Sequence, residues 1–121
     1  EVLAAFKLPK NTEEEKNRRS VAIQQAFKTA ATVPLGVARD TIKILDLAAR
    51  AIKNGNPNAV TDGAVAVLAA LSAALAAAYN VKINLSAIKD RAFVAELTRE
   101  IQELEHQVIA KENKILAQVI I

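Results

Sequence analysis

Few residues in this 121-residue chain could touch a ligand, and their positions limit the chemistry open to them. Asp62 and Asn80 are separated by five turns of an α-helix, so they share one stripe if the stretch between them is helical. Ala66, Ala69 and Ala73 floor that stripe, and Asn84 lies close to the same line. The pattern describes an Ala-floored groove with an acid at one end and two amides at the other. A carboxylate there either caps a helix start or carries a proton, and the amides either orient a polar ligand or bond neighbouring helix ends. At 1.5 Å of rise per residue the two ends are ~27 Å apart, too far for one reacting centre. They serve separate sites, or a second subunit joins them.

Among the cations, Arg19 lies one helical repeat before Ile23 and Phe27, at the margin of an apolar face, and Lys10 stands beside a helix start. Each is placed to meet a ligand carboxylate or simply to be solvated, whereas Lys16 and Arg18 point further round towards solvent. His106 falls among Glu103, Glu105 and Gln107 and reads as a surface residue. There is one His and no Cys, which removes disulfides, thiolate nucleophiles and multi-His metal centres together. No Ser/His/Asp set or phosphate loop is present, and no metal or bound cofactor is expected.

The elements that must position these groups are helical. Apolar residues make up 52% of the chain, 25 of them Ala, while aromatics are 3% and Gly and Pro number three each. Such a composition packs small residues at close backbone distances and lacks the turn punctuation of a sheet. The opening Val2-Leu3-Ala4-Ala5-Phe6 reads as the last turns of a helix already under way. Thr12 with Glu15 forms a capping box, so a helix is expected from about Glu13. Val33-Pro34 predicts a kink or short break in it, and Gly55 suits a left-handed C-cap at Asn54-Gly55-Asn56-Pro57. Between Asp62 and Lys82 lie nineteen residues without formal charge. That length approaches a bilayer span, but the weak hydrophobicity of Ala and the nearby Asn80 and Asn84 favour a buried central helix of a bundle over a membrane helix. Its Ala66-Ala70-Ala74-Ala78 and Ala69-Ala73-Ala77 rows let helices approach closely on two sides, which implies a homodimer or higher oligomer. A final helix is capped near Asp90, and Val94, Leu97, Ile101, Leu104 and Val108 form its seam. The fold class is therefore all-α, an up-and-down helical bundle with an Ala-rich central helix. Net charge is +3, with ten basic against six acidic residues in 1–60 and six against seven beyond. Without basic clusters interleaved with aromatics, a nucleic-acid partner is not expected. No secretory leader opens the chain, so a cytoplasmic setting is the expectation.

Five ordered blocks carry a resemblance to a known family. Leu8-Pro9-Lys10-Asn11-Thr12-Glu13-Glu14-Glu15-Lys16 with Arg18-Arg19 comes first, followed by Ala30-Ala31-Thr32-Val33-Pro34-Leu35. Then come Gly55-Asn56-Pro57-Asn58-Ala59, Thr61-Asp62, and Asn80-Val81-Lys82-Ile83-Asn84-Leu85. Together they resemble the formiminotetrahydrofolate cyclodeaminases and their relatives, the methenyltetrahydrofolate cyclohydrolases. The resemblance implies an all-helical, dimeric, cytoplasmic domain acting on a tetrahydrofolate derivative as substrate, with a polyglutamylated tail among the forms to test. It also implies that Lys10 and Arg19 hold the glutamate carboxylates, while Asn56, Asp62, Asn80 and Asn84 shape the pterin end. The family's Pro-Gly-Gly-Gly-Ser helix start and proton-transferring acid would fall before Glu1. Residues 1–121 are thus expected to be a single unit forming the C-terminal part of such a domain, with Asp62 the fallback catalytic acid. A non-catalytic helical dimerisation module is the alternative of another class.

Overall fold

A computed structural model describes residues 1–120 as four α-helices, with no strand among them. These are α1 (Val2–Phe6), α2 (Glu13–Asn54), α3 (Val60–Leu85) and α4 (Arg91–Leu116), with a 3-10 turn at Pro57–Ala59. Helix α2 starts where its capping chemistry dictates: the Thr12 hydroxyl accepts from the Glu15 N–H at 3.2 Å, and the Glu15 carboxylate accepts from the Thr12 N–H in return. Three glutamates in its first turn face the positive end of the helix dipole. Asp90 caps α4 as anticipated, accepting from the Phe93 N–H at 3.1 Å.

Two local expectations are corrected. Helix α2 runs unbroken through Pro34 for 42 residues, ~63 Å, with no interruption at Val33-Pro34. Gly55 closes it with φ −85° and ψ −164°, an extended conformation rather than the left-handed one. What requires glycine there is space, since a β carbon would stand 2.3 Å from the Ala51 carbonyl oxygen.

Helices α2, α3 and α4 run up, down and up. The order is fixed by Gly63 packing beside Ile52 at one end of the α2/α3 pair and Asn84 meeting Ala30 at the other. A β carbon on Gly63 would lie 2.5 Å from Ile52 Cγ1, so the absent side chain sets the closeness of that contact. One core cluster joins Leu35 and Ala38 of α2 to Ala77, Ala78 and Val81 of α3 and to Leu97 and Ile101 of α4. A second joins Leu45, Val67, Ala74, Val108 and Ile115. The buried Thr41 hydroxyl, between the two along α2, donates to the Ala38 carbonyl at 2.6 Å.

Ion pairs set the register of α4. Lys28 meets Asp90 at 2.7 Å, Arg39 grips Glu100 through two bonds of 2.5 and 2.8 Å, Lys111 pairs with Asp46, and Lys82 reaches Glu105 at 2.7 Å. The seam expected on α4 is the face that packs: Leu97, Ile101 and Val108 are buried, and Val94 and Leu104 are half-buried. Within 57–85 the most apolar 18-residue window has a mean hydropathy of 1.9, and the stretch is long and apolar enough to cross a membrane by length and composition. Here α3 buries only one side, through Val67, Ala70, Ala74, Ala77, Ala78, Val81 and Leu85. Its opposite side leaves Val65, Tyr79 and Ile83 exposed, so it is not the fully enclosed central helix that its sequence suggests.

Candidate functional site

An open groove of about 500 Å³ lies between the start of α1 and the α2/α3 pair. Val33, Pro34 and Val37 of α2 give it an apolar wall, Asn80 and Asn84 of α3 give it polar groups, and Glu1 stands at its rim. Among the described residues Glu1 is the only carboxylate lining it. Both asparagines are held by backbone bonds. Asn80 donates from Nδ2 to the Ala76 carbonyl at 3.0 Å. Asn84 donates to the Asn80 carbonyl at 2.7 Å and to the Ala30 carbonyl at 3.2 Å. The two amides expected at one end of the Ala-floored stripe line the same groove.

The remaining candidates lie elsewhere. Arg19 is on α2, fourteen to eighteen residues before the groove wall of Val33, Pro34 and Val37, and it donates to the Phe6 carbonyl at 3.3 and 3.2 Å from Nε and Nη2. Its guanidinium also lies 5.6 Å from the Phe6 ring centroid, which ties α1 to the start of α2. With Leu8, Pro9, Glu15 and Arg18 it lines a separate hollow of about 260 Å³. The Arg18 guanidinium pairs with Glu14 at 2.5 Å, and the Glu15 carboxylate is occupied by the Asn11 and Thr12 N–H groups. Lys10 is exposed and forms no ion pair among the described residues.

Asn56 and Asp62 belong to the far end of the pair, beside the end of α2. The Asn56 side chain accepts from the Asn58 N–H at 3.0 Å and starts the 3-10 turn. Asp62 is not the cap of α3, which begins at Val60 after Ala59 with no side-chain cap. It is an exposed first-turn acid, a favourable place on the helix dipole, and lies ~30 Å from the Asn80/Asn84 groove by helical rise. His106 is exposed, and no cluster of metal-ligating side chains occurs among the described residues.

Sequence reasoning missed Pro34, Val33 and Val37 as groove residues, and missed Gln24. That side chain donates to the Ala87 carbonyl at 3.1 Å and accepts from the Lys89 N–H at 2.7 Å, clamping the α3–α4 connection to α2. A proline inside a helical pattern was the available signal for the groove, because it leaves a carbonyl without a donor.

Residues 1–103 match the family model described as formiminotransferase-cyclodeaminase. The chain belongs to that family. A methenyltetrahydrofolate cyclohydrolase of Methylorubrum extorquens is 41% identical over 114 residues, covering 94% of this chain and 55% of the relative. Formimidoyltransferase-cyclodeaminases of Sus scrofa and Rattus norvegicus are 35% and 34% identical over 102 residues, 84% of this chain and 19% of each relative. This cyclodeaminase-family chain thus spans about half the length of the bacterial relative and about a fifth of the mammalian ones.

Proposed function

We propose that the chain is part of an enzyme of folate one-carbon interconversion, cyclising 5-formiminotetrahydrofolate to 5,10-methenyltetrahydrofolate with release of ammonia. The observation that carries this reading is the family match over residues 1–103, in which the five motif blocks fall. In the reaction N10 attacks the formimino carbon, its N–H proton leaves, and the former imino nitrogen departs as ammonia after protonation. A group that moves protons between these nitrogens is the chemical requirement. The Asn80/Asn84 groove suits the flat pterin, with an apolar wall for its faces and amides for its polar edge. Arg19 and Lys10 suit the glutamate carboxylates, Arg19 through a guanidinium that can bind a carboxylate in a bidentate fork and Lys10 as a point charge.

A second reading is favoured by the 41% identity to the bacterial cyclohydrolase. There water adds to the methenyl carbon and one C–N bond opens, giving 10-formyltetrahydrofolate and a proton. Both readings share the methenyl species, which explains why one groove serves either. In both, a homodimer is the proposed assembly.

The test offers 5-formiminotetrahydrofolate and 5,10-methenyltetrahydrofolate separately to the longest protein that contains this chain. Rising methenyl absorbance with equimolar ammonia supports cyclodeamination. Decay of the methenyl band above the spontaneous rate, without ammonia, supports hydrolysis. Neither signal, with no folate bound in equilibrium dialysis, refutes both and leaves the dimerisation module.

A further inference from the structure

We infer that Asn84 is a positioning residue that completes helix α2 from outside, its side-chain amide giving the Ala30 carbonyl the hydrogen bond that Pro34 withholds. In an α-helix each carbonyl accepts from the N–H four residues on, so Ala30 looks to position 34. Pro34 has no N–H, and an interior proline ordinarily kinks or breaks a helix at this point. Yet α2 is helical on both sides of it. The replacement donor comes across the helix pair: Asn84 Nδ2 lies 3.2 Å from the Ala30 oxygen, in a half-buried position. Its second N–H goes to the Asn80 carbonyl at 2.7 Å. Both amide hydrogens are thus committed, and the side chain is held by one bond to its own helix and one to the neighbouring helix.

Pro34 and Asn84 both line the groove, so this bond shapes what the groove offers. With its donors used, the polar atom Asn84 has left for a ligand is Oδ1, an acceptor. Asn80 uses one N–H on Ala76 and keeps one donor and one acceptor. Pro34 therefore acts through Asn84: by withholding an N–H it fixes which way the amide is turned, and the groove is built to meet a ligand edge that carries at least one N–H. The bond itself does not depend on the folate reading, whereas the use of the acceptor does.

The experiment is a double-mutant cycle on the 121-residue chain, with Asn84→Ala, Pro34→Ala and both together followed by thermal unfolding. The Pro34→Ala change supplies the missing N–H, so Asn84→Ala should cost about 5 °C more in melting temperature when residue 34 is Pro than when it is Ala. The cycle cancels the helix propensity of Ala and the lost bond to Asn80, which are common to both backgrounds. Carbonyl carbon NMR gives a local readout: the Ala30 signal should move towards the unbonded range on Asn84→Ala only in the Pro34 background. Equal losses in the two backgrounds, or an Ala30 signal indifferent to Asn84, would overturn the inference. If Asn84→Ala does not fold, Asn84→Ser enters the same cycle under the same criteria. These stability and NMR readouts involve no ligand, so they stand or fall separately from the folate assays.

Discussion

Arg19 shows how one side chain joins structure to recognition. Its bonds to the Phe6 carbonyl engage Nε and Nη2, and it also lines the hollow of Leu8, Pro9 and Arg18, where its other N–H groups are the ones left for a ligand. Arg19→Ala in the active protein should raise KM for the folate more than it lowers kcat, because carboxylate binding is largely equal in ground and transition states. A loss confined to kcat would remove Arg19 from substrate binding. Arg19→Lys separates the two roles, since a lysine retains the charge but not the bidentate fork. Gly63 works by absence: Gly63→Leu should destabilise the chain by about 1–3 kcal/mol through overpacking on Ile52, measured by urea unfolding.

At the scale of elements, α4 is bound by apolar seam and charge together. Lys28 hydrogen-bonds Asp90 and holds its carboxyl below the ordinary range, with help from the Phe93 N–H. Arg39 does the same to Glu100. A carboxyl with a folded pKa depressed below its unfolded value contributes stability above the unfolded pKa, and loses it as pH falls through the folded one. Stability should therefore be flat from neutrality to about pH 5 and decline below it. Glu100→Gln should flatten that acid limb and lower neutral stability by about 0.5–1 kcal/mol, the range of a well-formed but solvent-accessible pair. Unfolding midpoints against pH for the two proteins check this, and identical acid limbs would assign the decline to other carboxyls.

For the whole molecule, the decisive feature is the α2/α3 side that α4 does not cover. Val33, Val37, Ile44 and Leu47 of α2 and Val65, Tyr79 and Ile83 of α3 are exposed, and apolar side chains grouped on one side of a chain mark an interaction surface. Light scattering at micromolar concentration should return at least twice the chain mass, and a monomer mass would refute a homodimer formed by this chain alone. Ala73 lies exposed on α3, so Ala73→Leu should shift the association rather than the fold. Leu45, fully buried in the second core cluster, should behave oppositely, with Leu45→Ala costing about 2–5 kcal/mol. Residues 1–121 alone should show neither folate activity, since among the described residues the groove has only the rim carboxylate Glu1 and Asp62 stands ~30 Å away. Turnover by the isolated chain would make Glu1 and Asp62 the first residues to mutate.

The helices, the caps at Thr12 and Asp90 and the α4 seam were legible in the sequence, because capping and 3.6-residue periodicity are local properties carried by neighbouring side chains. So was the family, through blocks spread along the chain. Pro34 and Gly55 were misjudged for a physical reason. A proline's effect depends on whether another donor reaches the orphaned carbonyl, and here the donor is Asn84, fifty-four residues further along the chain from Ala30. Gly55 is required by the position of the Ala51 carbonyl rather than by its own dihedral angles. It took the packed helices to bring Asn80 and Asn84 to Pro34, send Asp62 and Asn56 to the opposite end, and turn Arg19 onto Phe6. Those placements come from how α2 and α3 lie against one another, and that is set by long-range packing at Gly63, Ala30 and the two core clusters.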